Sequence, residues 1–146
     1  GAALGAALGT FVFPGIGTAA GAVVGSIAGG LGASFCVLHE AAYGKNSREV
    51  EIARRFRDRH LSTAQLRAYY RLYEPVAERM HDDPGYRQAI RTEITDRLVR
   101  YGAAAMGLVY QEPSTEDIHK ARAFLTQLAV VGQDMPAFMR KNGEVV

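Results

Sequence analysis

The first 38 residues of this chain contain no charged side chain, and glycine recurs in them at every fourth position. Residues four apart lie on nearly one face of an α-helix, so these glycines would leave a groove that a second helix could enter. Glycine is a poor helix former in water, whereas small residues at this spacing let helices pack in a bilayer. The pattern therefore predicts a membrane-active helical segment. The repeated positions are Gly1, Gly5 and Gly9, followed by Gly17, Gly21, Gly25 and Gly29.

A turn signal, Pro14-Gly15, divides this segment into two stretches. The second stretch, Gly17 to Leu38, has 22 uncharged residues and as a helix would span about 33 Å, enough for the hydrocarbon core of a bilayer. The first stretch is too short to cross alone. We therefore expect a hairpin of two antiparallel helices that pack through their glycine faces.

Other interpretations of the segment were weighed against this one. A disordered linker does not fit the many Leu, Val, Ile and Phe residues among the glycines. A phosphate-binding loop is excluded, because the glycine spacing is one residue too long and no strand precedes it. A hairpin closed into the core of a soluble protein stays open as an alternative.

The remainder of the chain has a different composition. All 17 basic and 15 acidic residues lie between Glu40 and Val146, which places a domain boundary at about residue 38. We therefore divide the chain into a membrane-active segment, 1–38, and a charged domain, 39–146. The near balance of charge in the second part gives no electrostatic reason to expect nucleic-acid binding.

Two further features limit the possibilities. Cys36 is the only cysteine, which excludes an internal disulfide and a multi-cysteine metal site, and we expect its thiol to be buried. The chain opens at Gly1 without a methionine, so we expect a cleaved product or part of a longer chain. No basic region precedes the apolar residues, which disfavours a signal peptide.

The charged domain is predicted to be a small bundle of amphipathic helices, and the fold class to be all-α, since no strand-like alternation persists. We expect Pro75 to interrupt the second helix of the domain. Apolar side chains of the long third helix are expected to face inward. Helix starts are predicted at Asn46 with Glu49, at Ser62 with Gln65, at Asp83 with Pro84, and near Ser114 or Thr115. The inward residues are Tyr86, Ile90, Ile94, Leu98 and Tyr101, and in the last helix Ile118, Ala121, Leu125 and Leu128.

The start of this domain resembles the CFI-box module, a C-terminal module of bacterial proteins. The likeness covers about residues 36–80 and rests on Cys36-Val37-Leu38-His39-Glu40-Ala41-Ala42-Tyr43-Gly44, Phe56-Arg57-Asp58, Tyr69-Tyr70-Arg71 and Pro75. The sequence departs from the family at Val37, Leu38 and Glu40, where the family carries Phe, Ile and Thr. The resemblance implies a structural module with no established activity. Its structural residues would be Phe56, Arg57, Asp58, Tyr69 and Tyr70.

The N-terminal segment resembles the glycine-zipper segments of membrane-depolarising bacterial effectors that type VI secretion delivers. That resemblance implies a secreted toxin that inserts into the inner membrane of a target cell and forms ion-conducting oligomers. Its expected partners are the lipid bilayer, a secretion carrier or chaperone that covers the apolar segment, and a cognate immunity protein in the membrane. The charged domain would act as carrier, contact a delivery protein or shield the segment before release.

Nothing in the sequence is typical of an active site, and we expect neither enzymatic activity nor a cofactor or metal. The four histidines lack ligand spacing, and Ser-His-Asp and Walker patterns are absent. His81-Asp82-Asp83 precedes a helix start, where acidic residues serve as caps. Two rival functions stay open: a non-toxic envelope protein anchored by the hairpin, and a soluble helical binding module.

Overall fold

The computed structural model describes residues 36–136, and every regular element in that range is helical, which confirms the all-α prediction for this part of the chain. The predicted glycine hairpin and its Pro14-Gly15 turn lie outside the described residues. In chain order the elements are α1 (Val37–Tyr43), α2 (Arg48–His60), α3 (Thr63–Asp82), α4 (Pro84–Ile90), a π-helical turn (Arg91–Thr95), α5 (Asp96–Ala105) and α6 (Thr115–Gln133).

The last residues of the uncharged segment belong to the core of the folded domain. Helix α1 runs across residue 38, and Val37 and Leu38 are buried, with no exposed surface left on Leu38. Helix α1 packs mainly on α3. Val37 and Leu38 belong to one buried cluster with residues of α3 and α6, including Tyr73 and Phe124. A smaller cluster, Ile52, Val99 and Ala103, joins α2 to α5.

Local capping signals set most of the helix starts. Ser62 and Gln65 form the predicted capping box of α3, Asp83 caps α4 ahead of Pro84, and Ser114 caps α6. The predicted start at Asn46 with Glu49 is wrong by one residue, because the hydroxyl of Ser47 accepts the backbone N–H of Val50 at 3.2 Å. That arrangement satisfies one of the unpaired donors of the first turn.

Helix α3 continues through Pro75, so the predicted interruption is wrong. A proline inside a helix costs about 3 kcal/mol, because it removes one hydrogen bond and crowds the preceding turn. The carbonyl that loses its partner belongs to Arg71, an exposed residue, so water can hydrate it. The buried face on both sides of the proline, including Tyr73, Val76 and Met80, favours one continuous helix.

The predicted long helix after Pro84 forms, but a π-helical turn at Arg91–Thr95 changes which residues face inward. The extra residue in this turn rotates everything that follows. Ile90 and Ile94 are buried as predicted, but the next buried apolar position is Val99, five residues on. Tyr86 and Leu98 are half-buried and pack against the core cluster, as their inward prediction requires. Tyr101 is half-buried and meets Phe56 instead.

Helix α6 begins at Thr115 as predicted and ends at Gln133. Ala121 and Leu128 are buried as expected, whereas Ile118 and Leu125 are half-buried. Among residues 36–136, none of the helices combines the length and the apolar character that crossing a membrane requires.

Candidate functional site: an apolar cavity at the start of the domain

A small cavity of about 50 Å³ lies where the chain enters the folded domain at Cys36. It brings together side chains from α2, α3, α5 and α6 with those at the start of α1. Five residues of the motifs singled out above meet here although up to 33 positions separate them in sequence: Cys36, His39, Phe56, Arg57 and Tyr69. The full lining is Cys36, His39, Ala53, Phe56, Arg57, Leu61, Leu66, Tyr69, Leu98, Phe124, Leu125 and Leu128.

A tyrosine hydroxyl from another helix holds the beginning of α1. Cys36 occupies the cap position of α1 but makes no capping hydrogen bond with its side chain. Instead, the backbone N–H of Leu38 donates to the hydroxyl of Tyr69, over 3.1 Å and in a buried setting. Tyr69 therefore satisfies a donor that the first turn of a helix otherwise leaves unpaired.

His39 is the most unusual polar group of the cavity. Its side chain is buried, and neither ring nitrogen has a hydrogen-bond partner in the part of the chain that the structure describes. Burial lowers the pKa of His39 to about 4, so the imidazole is neutral at physiological pH. Its ring stacks against Tyr43, with 6.3 Å between the ring centroids. The sequence places His39 in the CFI-box-like motif but gives no sign that its imidazole is buried.

Cys36 lies in the same wall, and its thiol is buried as expected. Burial raises the pKa of Cys36 to about 12, and the positive charges of Arg57 and Arg54 offset only part of that increase. Because the thiolate is the nucleophilic form, a thiol with such a pKa is unreactive near neutral pH. This environment favours a packing role for Cys36.

Two arginines of α2 form ion pairs beside the cavity. The Arg57 guanidinium contacts the Asp58 carboxylate at 2.7 Å, but only the arginine is buried, since the Asp58 side chain is 64% exposed. This ion pair is therefore half on the surface. Arg54 contacts Glu40 at 2.8 Å and so ties α2 to α1.

The aromatic residues of the motifs occupy different positions around the cavity. Tyr70 is buried in the main core and packs edge-on to Tyr69. Phe56 is half-buried, stacks on His60 and meets Tyr101 edge-on. Its ring also covers the backbone of Gly102, where an added Cβ would meet ring atoms at 3.3 Å. Helices α2 and α5 can therefore approach closely at this point.

Sequence reasoning missed a second polar cluster at the start of α6. Asp117 is buried and accepts two hydrogen bonds from Arg100, at 2.8 and 3.0 Å, and one from Arg97 at 3.2 Å. The bond from Arg100 is the main reason that the pKa of Asp117 falls to about 2. Glu93 and Lys120 extend the cluster beside a second cavity of about 100 Å³. The only sequence signal was the Ser114–Asp117 capping box.

The arrangement of the described residues does not resemble a metal site or an acid–base pair. No group of three His, Cys, Asp or Glu side chains within residues 36–136 is close enough to hold a metal ion. The stretch His81-Asp82-Asp83 has the residue types of a metal or acid–base cluster, but Asp83 caps α4 and the other two side chains are exposed. The cavity at Cys36 is instead suited to an apolar group, with His39 available for one polar contact.

Comparisons with known proteins identify no relative. No family model matches the chain, and neither a curated protein nor a solved structure is significantly similar to it. The resemblances to the CFI-box module and to glycine-zipper effectors therefore stay predictions that rest on the residues quoted for them.

Proposed function

We propose that this chain is a secreted antibacterial toxin whose N-terminal segment inserts into the cytoplasmic membrane of a target cell and forms ion-conducting pores. The observation that carries the proposal is the run of 38 residues without a charged side chain, with two series of glycines at a four-residue spacing. Backbone polar groups must be satisfied internally in a bilayer, and helices with small-residue faces meet that need while packing closely.

Pore formation, and not simple anchoring, is favoured by the length of the glycine series. An anchor needs only an apolar span, for which leucine is better suited than glycine. A helix face made of glycines lets another helix pack closely against it, including a helix of a neighbouring copy in a homo-oligomer. The glycines of that face are Gly17, Gly21, Gly25 and Gly29. Dissipation of the membrane potential by such oligomers needs no catalytic residue and no cofactor, so we propose a protein that is not an enzyme.

The proposed mode of action requires partners outside the target membrane. A producing cell would need a membrane-bound immunity protein, and a carrier or chaperone would cover the apolar segment during secretion. The charged domain would accompany the segment as a folded unit. Its core includes Val37 and Leu38, so the segment is joined to the domain without a flexible linker between residue 36 and α1.

Growth of a susceptible bacterium that expresses the full chain tests the proposal. The wild-type chain should arrest growth, and Gly21→Val should abolish the toxicity by blocking close helix contact. Gly30→Val is the matched control, because it adds the same side chain to the same segment at a position outside the four-residue series. Toxicity that survives valine at Gly17, Gly21 and Gly25 alike would refute the pore mechanism. A tolerated wild-type chain that fractionates with membranes would favour an anchor.

A further inference from the structure

We propose that the cavity at Cys36 is an intramolecular docking site, which holds an apolar side chain of residues 1–35 while the protein is in water. The cavity is lined mainly by aliphatic and aromatic groups, and its 50 Å³ corresponds to roughly three to five water molecules. That space suits a single aliphatic side chain. Without such a side chain, the apolar lining would stay in contact with water, which is unfavourable.

The position of the cavity favours a segment of the same chain over a separate partner. Cys36, which forms part of the wall, directly follows residue 35. A side chain a few residues upstream therefore needs only a short loop to reach the opening, and the entropic cost of closing a short loop is small. The covalent connection also gives the segment a high effective concentration at the site.

The chemistry of the segment matches the lining. Residues 1–35 contain no charged side chain, so none of them would bring an unpaired charge next to Leu66, Leu125 and Leu128. The lining includes no carboxylate, and its one guanidinium, that of Arg57, already contacts Asp58. Both ring nitrogens of His39 lack a partner among the described residues. A backbone group or hydroxyl of the segment could supply the hydrogen bond that a buried imidazole requires.

Docking would regulate the proposed toxin, and in this respect the inference rests on the proposed function. While the apolar surface of the segment is docked on the domain in water, it is not available to bind a membrane. Transfer to a bilayer then exchanges one apolar environment for another, so release would be cheap once a membrane is present. Docking in water does not itself depend on pore formation, which allows the two ideas to fail separately.

Site-directed cross-linking of the full-length chain tests the docking. In a Cys36→Ser background, one new cysteine is placed in the segment, at Val24, Ile27 or Leu31, and a second at Leu66 in the cavity wall. Leu72→Cys is the matched control, because it is another half-buried leucine of α3 but does not line the cavity. From Ile27 the chain to Cys36 spans up to about 30 Å, while Leu66 and Leu72 are only about 9 Å apart along α3. Both positions are therefore within reach of the segment.

We expect a short bis-maleimide to join at least one segment position to Leu66→Cys in detergent-free buffer, at least fivefold faster than to Leu72→Cys. Equal rates, or no cross-link from any of the three positions, would overturn the docking site. Leu125→Cys, in the part of the lining that α6 contributes, replaces Leu66→Cys if the latter variant unfolds on a circular dichroism melt. Adding liposomes should abolish the preference. Suppose that cross-linking to Leu66→Cys stays faster and the liposomes keep their potential: docking is then supported and the toxin contradicted. If the liposomes depolarise but the cross-linking rates in buffer are equal, the toxin is supported and docking contradicted.

Discussion

At the scale of single residues, the hydroxyl of Tyr69 caps the N-terminus of α1, a role that a serine or aspartate side chain has in most helices. Its hydroxyl accepts the N–H of Leu38 at 3.1 Å, while Cys36 at the cap position contributes no side-chain hydrogen bond. The bond is buried and joins residues 31 positions apart. It therefore links the start of the domain to the centre of α3.

Removing this hydroxyl should destabilise the domain. Tyr69→Phe keeps the ring but leaves the N–H of Leu38 buried without an acceptor, which costs about 1–3 kcal/mol in the free energy of unfolding. Urea denaturation followed by circular dichroism measures the loss. Tyr101→Phe, at a half-buried ring whose hydroxyl has no partner among residues 36–136, should change the stability by less than about 0.5 kcal/mol. Equal effects of the two substitutions would show that Tyr69 does not act as a cap.

His39 predicts a specific dependence of stability on pH. Because burial lowers its pKa from 6.5 to about 4, the folded state favours the neutral imidazole. The part of the free energy of unfolding that depends on a neutral His39 is fully present above pH 6.5. It is lost as the pH falls through 4, and the loss is at most about 3 kcal/mol. Asp117, with a pKa of about 2, stays ionised over this range.

His39→Leu should remove this part of the pH dependence. Between pH 7 and pH 4.5 the wild type should lose more of its free energy of unfolding than the variant does, as measured by urea titrations at both values. The comparison cancels the carboxylates that titrate in both proteins. The titratable or charged neighbours of His39 are the same in the wild type and the variant. They are Cys36, Tyr43, Arg57 and Tyr69. Parallel losses in the two proteins would mean that His39 does not titrate below its ordinary pKa.

At the scale of helices, the end of α6 is fixed by a close backbone approach. A Cβ at Gly132 would meet the carbonyl oxygen of Ala64 at 2.0 Å, a distance that no packed structure tolerates. Gly132→Ala should therefore destabilise the domain by about 1–3 kcal/mol, although alanine is the better helix former. Thermal melts report the change. Gly85→Ala, where the nearest atom lies at 3.6 Å, should be neutral or slightly stabilising, and a reversed order would contradict this packing.

The helices also show what could be derived from the sequence and what could not. Starts marked by a local signal, such as Ser62 with Gln65 or Asp83 with Pro84, were predicted correctly, because capping depends on residues three apart. Continuation through Pro75 and the π-helical turn were not predicted. Both depend on burial against other helices, which outweighs local preference. The same reason explains the candidate site: the cap by Tyr69 and the burial of His39 arise from contacts between separate helices.

At the scale of the whole molecule, the uncharged N-terminal segment meets the charged domain inside the core of that domain. Every charge lies beyond residue 39, yet Val37 and Leu38, the end of the uncharged run, are buried in the same core cluster as residues of α3 and α6. A movement of the N-terminal segment would therefore act directly on α1. Glu40 and Tyr43 connect α1 in turn to Arg54 and Asp96 on other helices.

The most direct test of the account uses purified full-length protein and liposomes that hold a potassium gradient, with a potential-sensitive dye as the readout. Wild type and Gly30→Val should collapse the potential rapidly, whereas Gly21→Val should leave it intact because its helices cannot pack closely. A potential that persists with wild type, although the protein demonstrably binds the liposomes, would contradict the proposed pore.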